Sequence, residues 1–306
     1  MPPRPGSRPP HDRRLTEHPN PASRKLDRFS TTQIVRLMNQ EDRKIALAVQ
    51  RELPSIAKAA DAIIHALQNG GRLFYVGAGS SGRMAVLDAA EIAPTFGTPP
   101  SLVQALIAGG RKAVTSAVEG AEDAVGNGER DLRARKFTAK DIVVGIAASG
   151  TTPYVLGALS YARSRKATII ALTSNRRMPI TRLADIIIAP EVGPEVLTGS
   201  TRLKAGTSQK LVLNMLSTAS MVRLGHVYQN LMIDAVLTNK KLEDRALRIL
   251  AEASGKSVSA GRRALRQAKH DIRVALVILK RGVSPSEAHK LLSRAGGNLR
   301  KALGEN

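Results

Sequence analysis

The sequence contains no cysteine and no tryptophan, and aromatic residues make up only 3% of its 306 residues. Without cysteine, disulfides, thiol nucleophiles and zinc–thiolate sites are excluded. The scarcity of aromatic side chains leaves little surface on which nucleic-acid bases could stack. There is also no apolar run long enough to cross a bilayer and no apolar segment of a signal peptide, so a cytoplasmic location without membrane association is expected.

Acidic residues are scarce relative to basic ones, with 25 Asp and Glu against 47 Lys and Arg and a formal net charge of +22. The basic residues are spread over a proline-rich N-terminus and the C-terminal region rather than gathered in one motif. Together with the low aromatic content, this favours a small anionic substrate over nucleic acid as the partner.

Three regions differ in composition. Residues 1–14 are rich in proline and arginine and are predicted to be a disordered tail. Residues 15–240 begin with a polar arm and then alternate apolar strands with helices, which predicts one large domain. From residue 241 onward the chain has short amphipathic helices separated by glycines, which predicts a small helical bundle over 241–306.

The large domain is predicted to be an α/β fold. Its strand candidates are apolar nearly throughout, as parallel strands buried on both faces are, and helices between them indicate a three-layer αβα sandwich around a five-stranded parallel sheet. The predicted strands are 73–76, 102–107, 142–147, 168–172 and 186–189, and the predicted helices of this domain include 31–39, 42–68, 113–123, 153–165 and 201–224.

A glycine-rich turn, Gly77-Ala78-Gly79-Ser80-Ser81-Gly82, follows the first predicted strand and opens a helix. A strand, a tight turn and a helix N-terminus together present backbone N–H groups to a phosphate. Dinucleotide sites share this pattern but carry an acidic residue after the second strand. Here the second strand ends in Ala108-Gly109-Gly110. A small phosphorylated ligand bound with Ser80 and Ser81 is therefore favoured over NAD or FAD.

A second hydroxyl-rich loop follows the third predicted strand, where Ser149 and Thr152 precede a helix. If the sheet has flavodoxin-like order, strands one and three are neighbours and both loops border the ligand crevice. Ordinary N-capping by Ser and Thr is the alternative explanation. Two such loops favour a phosphate site.

The segment 195–210 combines hydroxyls with cations before a long helix. Ser200, Thr201 and Lys204 are its candidate ligands for an anionic sugar. A solvated helix start with a few cations is the alternative.

Candidate acid–base residues are Glu91, Glu119, Glu122 and Asp123. Apolar neighbours of Glu91, such as Ile92, predict a buried carboxyl suited to general acid catalysis. The alternative is an ordinary surface residue, which a glutamate on a helix is more often than a catalyst. The six histidines are scattered without metal-ligand spacing, so no metal site is predicted.

Several motifs resemble those of the N-acetylmuramic acid 6-phosphate etherase family of sugar isomerase (SIS) domain proteins. The resemblance covers about residues 15–303 and is carried by LTEHPNPAS, VGAGSSGRMAVLDAAE, PTFG, AVEGAEDA, GIAASGTTPYV and GPEVLTGSTRLKAGTSQKLVLNM. Two positions depart from the family pattern: Ala93 precedes a single proline where two are usual, and Thr151 stands where the family usually has arginine, which bears on phosphate binding.

The resemblance implies cleavage of the D-lactyl ether of N-acetylmuramic acid 6-phosphate in a homodimer without a cofactor, as a step in recycling cell-wall amino sugar. It also places the family's two active-site glutamates on Glu91 and Glu122. Two other functions remain open: a sugar-phosphate isomerase, and a non-catalytic sugar-phosphate sensor like the glucokinase regulatory protein. The isomerase function does not account for the AVEGAEDA motif or the C-terminal bundle. A sensor of that type carries two SIS domains, whereas 306 residues hold only one.

Overall fold

The computed structural model describes residues 14–237 and 239–305, so the predicted tail lies outside the described residues except for Arg14. The described chain forms two compact units. One contains the residues up to Leu87 together with Gln104–Leu216, and the other contains Asp88–Val103 and the residues from Ser217 onward. The predicted domain boundary after residue 240 falls inside the second unit.

A five-stranded sheet with the order β2-β1-β3-β4-β5 lies at the centre of the fold. β1 pairs in parallel with β3, β3 with β4, and β4 with β5. The flavodoxin-like order is therefore confirmed, and all five predicted strands are present with small shifts at their ends. The strands are β1 (Leu73–Gly77), β2 (Val103–Ile107), β3 (Ile142–Ile146), β4 (Thr168–Leu172) and β5 (Ile186–Ile188).

The starts of β1 and β3 are joined by a buried ion pair. The backbone N–H and the guanidinium of Arg72 both donate hydrogen bonds to the Asp141 carboxylate, which also accepts two from Thr138. Burial raises the pKa of Asp141, but these hydrogen bonds outweigh it and hold that pKa below its usual range. The register of the two strands that precede the hydroxyl-rich loops is thus fixed at their far end.

Two helices before the sheet correct a predicted boundary. α1 (Thr31–Gln50) begins with a capping box formed by Ser30 and Gln33, and it continues through residues 40 and 41, where a break was predicted. The break comes instead just before α2 (Leu53–Gln68), whose second residue is Pro54. Proline fits the first turn of a helix but not its interior, so the chain begins a new helix there.

The predicted helix over 113–123 is also wrong. A single turn, α4 (Lys112–Thr115), gives way to a loop, and α5 (Val125–Ala134) follows. Ser116, directly after α4, has an extended backbone, and Gly120 further along the loop has φ of +68°, so the helix does not continue. The AVEGAEDA motif is therefore a loop rather than a helix face.

The other helices of the α/β region cover the sheet or follow it. α8 begins at Lys204, three residues later than predicted, because the preceding residues form a turn. These helices are α3 (Gly79–Phe96), α6 (Pro153–Ser164), α7 (Pro179–Arg182) and α8 (Lys204–Arg223).

The predicted C-terminal helices are confirmed and share one apolar core. A short hairpin precedes them, with two residues in each strand: β6 (Val227–Tyr228) and β7 (Leu231–Met232). The sequence did not predict the last helix, which is only five residues long and follows Gly296-Gly297. The helices are α9 (Lys240–Ser254), α10 (Val258–Gln267), α11 (Ile272–Arg281), α12 (Pro285–Arg294) and α13 (Leu299–Leu303). No helix within the described residues has the length and hydropathy needed to span a membrane.

Candidate active site

Because β1 and β3 are neighbours, the loops that follow their carboxyl ends border one cavity of about 380 Å³, which we call the substrate cavity. The hydroxyl-bearing residues Ser80, Ser81, Ser149 and Thr152 all line it. The structure thus brings together the four residues that the sequence predicts to bind phosphate.

The first loop turns tightly into α3. A Cβ on Gly77 would lie 2.8 Å from the backbone nitrogen of Gly82, so any side chain there would push the turn open. Ser80 and Ser81 belong to the first turn of α3, where backbone N–H groups have no partner inside the helix. The substrate cavity therefore has both hydroxyls and backbone donors on this side.

The second loop is held by its own hydroxyls. Ser149 Oγ accepts hydrogen bonds from the backbone N–H of Thr151 at 3.3 Å and from Thr151 Oγ1 at 3.0 Å. Thr152 is the N-cap residue of α6, yet its side chain makes no capping hydrogen bond. Ordinary capping consequently does not explain Thr152, whose hydroxyl remains available to a ligand.

The third predicted segment contributes only in part. Gly199 and Thr201 line the substrate cavity, whereas Ser200 and Lys204 are not among its lining residues. The Lys204 side chain is 2% exposed, and its Nζ donates to Glu41 Oε2 at 2.6 Å. The structure thus places Lys204 in a buried ion pair away from the predicted phosphate ligands.

Two buried glutamates surround Lys204. Burial raises the pKa of Glu41, but hydrogen bonds from Lys204 and Lys44 hold it below the usual range. Glu195 accepts the backbone N–H groups of Lys204 and Ala205, each at 3.0 Å, and so caps α8. Burial outweighs these bonds and raises the pKa of Glu195.

Carboxylates line the other side of the substrate cavity. Glu122 and Asp123 come from the AVEGAEDA loop, and Glu17 comes from the N-terminal arm. The backbone oxygen of Glu122 accepts a hydrogen bond from the Tyr154 N–H at 2.9 Å, which ties the loop to the start of α6. The predicted acid–base residue Glu122 thus lies in the same cavity as the predicted phosphate loops.

Glu91 is exposed, so the predicted burial of its carboxyl is wrong for the single chain. It lies on α3 about three turns after Ser81 and does not line the substrate cavity. The apolar stretch around Glu91 does not indicate burial of the carboxyl, because only Ile92 faces the core and the neighbouring alanines tolerate exposure. The sequence pattern therefore did not determine the surroundings of Glu91.

The N-terminal arm is ordered and packs beside the second loop. The backbone N–H of Leu15 donates to Asn175 Oδ1 at 2.7 Å, and Asn175 Nδ2 donates to Ala148 O at 2.8 Å. Thr16 is buried against the same asparagine, accepting from its Nδ2. No local motif marks Asn175, which follows β4, so the sequence did not identify it as a support of the site.

The arm's polar groups divide into two sets. Asn20 donates to Pro194 O at 3.2 Å, and Ser23 donates to Asn20 O, so both are used within the protein. Glu17 lines the substrate cavity, and so does Arg14, which the sequence assigned to the tail. The contribution of the arm to ligand binding is therefore expected from Arg14 and Glu17.

Truncations test this division. A chain beginning at Arg14 is expected to keep full activity, because it keeps every residue that lines the substrate cavity. A chain beginning at Arg24 is expected to lose substrate affinity more than thermal stability, measured as KM and melting temperature. Equal activity in both chains would contradict a role for the arm, and lost activity in the first would contradict a dispensable tail.

Within the described part of the chain, no group of three or more His, Asp and Glu side chains is arranged to hold a metal ion.

Comparison with known proteins gives consistent results along the chain. A model of the glucokinase regulatory protein N-terminal SIS domain matches residues 55–163, and a SIS domain model matches residues 120–219. A phosphoheptose isomerase structure from Francisella tularensis is similar at 23% identity and a TM-score of 0.49, covering 63% of this chain and 99% of that one.

Curated relatives are much closer in sequence. An N-acetylmuramic acid 6-phosphate etherase of Pectobacterium atrosepticum is 52% identical over 289 residues, covering 94% of this chain and 95% of its own length. The etherase of Yersinia pseudotuberculosis serotype O:3 is 52% identical over the same share of this chain and 98% of its own. With these relatives and the SIS fold, the chain belongs to the N-acetylmuramic acid 6-phosphate etherase family.

Proposed function

We propose that the protein cleaves the D-lactyl ether of N-acetylmuramic acid 6-phosphate and yields N-acetylglucosamine 6-phosphate and D-lactate. The observation that carries the proposal is 52% identity to curated etherases over 94% of the chain. A cavity that combines two hydroxyl-rich loops with carboxylates supports it. The loops suit the phosphate, and the carboxylates suit proton transfer.

The reaction requires protons to move at two adjacent carbons. Ring opening exposes an aldehyde at C1, which acidifies the C2 proton. Glu122, which lines the substrate cavity, removes that proton. The C3–O bond then breaks, and Glu91 protonates the departing lactate. Water, activated by Glu91, adds at C3 of the unsaturated aldehyde, the proton held by Glu122 returns to C2, and ring closure completes the product. Carboxyl groups suffice for these steps, so the proposal includes no metal or redox cofactor.

Isotope exchange can assign these two roles. With Glu91 replaced by Gln, the C2 hydrogen of the substrate is expected to exchange with D2O although lactate is not released. With Glu122 replaced by Gln, exchange is expected to stop as well.

A direct assay tests the function. The purified protein is incubated with N-acetylmuramic acid 6-phosphate, and D-lactate is measured by an enzyme-coupled assay. A sensor would bind the sugar phosphate without releasing lactate, and an isomerase would interconvert an aldose and a ketose 6-phosphate. Either result would contradict the proposed etherase.

We further propose a cytoplasmic homodimer that acts in the recycling of cell-wall amino sugar. Leu87 is 48% exposed and lies one helical turn before the exposed Glu91 on α3. Residues four apart share one face of a helix, so a second copy that covers Leu87 would also reduce the exposure of Glu91. Light scattering of the purified protein measures the oligomeric state.

Phosphate binding is expected to be shared by the hydroxyls of Ser80, Ser81, Ser149 and Thr152, with backbone N–H groups contributing most. Removal of each hydroxyl should weaken substrate binding by about 1.5–3 kcal/mol, the range for hydrogen bonds to a charged group. Thr151→Ala should cost less, because its hydroxyl already donates to Ser149. A crystal structure with the sugar phosphate bound away from both loops would refute this assignment.

A further inference from the structure

A second, smaller cavity adjoins the substrate cavity. It has a volume of about 180 Å³ and shares Ala78, Gly79 and Glu122 with the substrate cavity. A ligand held by the phosphate loops can therefore extend past Glu122 into it. We call it the alanine chamber, because its walls include Ala78, Ala108, Ala113, Ala117 and Ala121.

One cation lines the alanine chamber. Arg83 Nε donates to Val114 O at 3.0 Å and Arg83 Nη2 donates to Ser116 O at 3.1 Å. These two bonds fix the guanidinium, which has five N–H groups in all. Among the described residues that line the chamber, Arg83 is the only lysine or arginine.

The chamber is built by close backbone packing. Gly109 has φ of +84°, and a Cβ there would lie 2.9 Å from the Cβ of Val118. The loop that contains Val118 is thus pressed against the end of β2 while Arg83 holds its carbonyl groups. The small volume is therefore a property of the folded chain rather than of a loose loop.

We propose that the alanine chamber binds the D-lactyl group of the substrate, with its carboxylate on Arg83 and its methyl against the alanines. The inference rests on the proposed function and adds Arg83 as a residue that recognises the leaving group. A carboxylate and a fixed guanidinium form strong charge-assisted hydrogen bonds, whereas the acetamido group of the sugar is neutral and forms only weaker hydrogen bonds with an arginine.

The acidic residues of the chamber are consistent with this assignment. Glu119 and Glu122 both line it but are exposed, so solvent and salt screen their repulsion of the lactyl carboxylate. Arg83 is half-buried, which leaves its attraction less screened. The chamber would then select lactyl-bearing sugars over plain amino-sugar 6-phosphates.

The test compares two ligands that differ by the lactyl group. For wild type and Arg83→Gln, kcat/KM is measured for N-acetylmuramic acid 6-phosphate, and the inhibition constant is measured for N-acetylglucosamine 6-phosphate. Arg83→Gln is expected to lower kcat/KM at least about 10-fold, as loss of a charge-assisted hydrogen bond does, and to leave the inhibition constant within about twofold. Arg111→Gln, at an exposed arginine outside the chamber lining, is the matched control and should change neither.

A second variant fills the chamber without removing the charge. Ala117 is exposed at the chamber wall, so Ala117→Leu should fold. This variant should also lower kcat/KM for N-acetylmuramic acid 6-phosphate while N-acetylglucosamine 6-phosphate still binds. Equal weakening of both ligands by Arg83→Gln would mean that Arg83 only supports the loop and would overturn the inference. Unchanged kinetics in both variants would overturn it as well. Absence of lactate release by wild type would refute the proposed function, and this inference with it.

Discussion

Glu91→Gln is expected to abolish D-lactate release while the protein remains folded. The amide has nearly the same shape as the carboxyl but cannot donate a proton to the departing lactate. Loss of a general acid should reduce kcat at least about 100-fold. The side chain is exposed on α3, so its replacement should leave the melting temperature unchanged.

The measurement is single-turnover and steady-state lactate release at equal protein concentration, with circular dichroism as the check on folding. Glu252→Gln is a suitable control because Glu252 is also an exposed glutamate on a helix, α9, and takes no part in the proposed chemistry. Near-normal turnover in the folded Glu91 variant would remove this residue from the mechanism. Comparable losses in the control would indicate a general effect of charge instead.

The sheet and the positions of the two hydroxyl-rich loops could be predicted because their signals are local. Apolar runs such as 142–147 form strands that are buried on both faces, and glycine and serine directly after them mark the turns. The order of the strands then brought Ser80 and Ser149 to one cavity, as predicted. The local sequence pattern was sufficient for the strands and for the turns after them, because these depend on residues adjacent in the chain.

Predictions failed where the outcome depended on distant contacts or on one backbone angle. The AVEGAEDA loop looks helical by composition, but α4 ends at Thr115 because Ser116 is extended, and Gly120 within the loop has a positive φ. The exposed face of α3 at Glu91 could not be distinguished from a buried one, since alanine occurs on both. The alanine chamber was not predicted either, because Arg83 and the backbone of Val114 and Ser116 are brought together only by tertiary packing.

Lys204 is the clearest case of this limit. A lysine among hydroxyls before a long helix has the composition of a phosphate ligand. In the structure its partner is Glu41, 163 residues away on α1. Nothing in the segment 195–210 indicates that pairing. The predicted ligand role and the observed ion pair lead to different experimental results.

We expect Lys204→Met to destabilise the fold strongly and to affect binding only through that change. Removal of one partner leaves the other charge buried, which typically costs 3–5 kcal/mol. Glu41 keeps its second partner, Lys44, at 2.5 Å, but that lysine is 62% exposed and compensates weakly. A loss of about 3 kcal/mol in the free energy of unfolding is therefore expected from urea titration at neutral pH.

The pH dependence follows from the Glu41 carboxyl. Burial raises the pKa of Glu41, but the hydrogen bonds from Lys204 and Lys44 lower it by a larger amount. The pKa in the folded state therefore lies below the pKa in the unfolded state. The stability gained from the pair is present above the unfolded pKa and is lost as pH falls through the folded value. The difference between wild type and Lys204→Met should thus be largest near neutral pH and shrink in acid.

A double variant separates the ion pair from a role in phosphate binding. Glu41→Gln combined with Lys204→Met removes both members of the ion pair, and Glu195 keeps its hydrogen bonds from the backbone N–H groups of residues 204 and 205. Most of the lost unfolding free energy should therefore return. If Lys204 acts only through the pair, KM should recover with stability in the double variant. If Lys204 contacts the phosphate, both variants should show the same raised KM, and the single variant should be little destabilised. That second pattern would restore Lys204 to the substrate site and refute the structural role assigned to it by its 2.6 Å contact with Glu41.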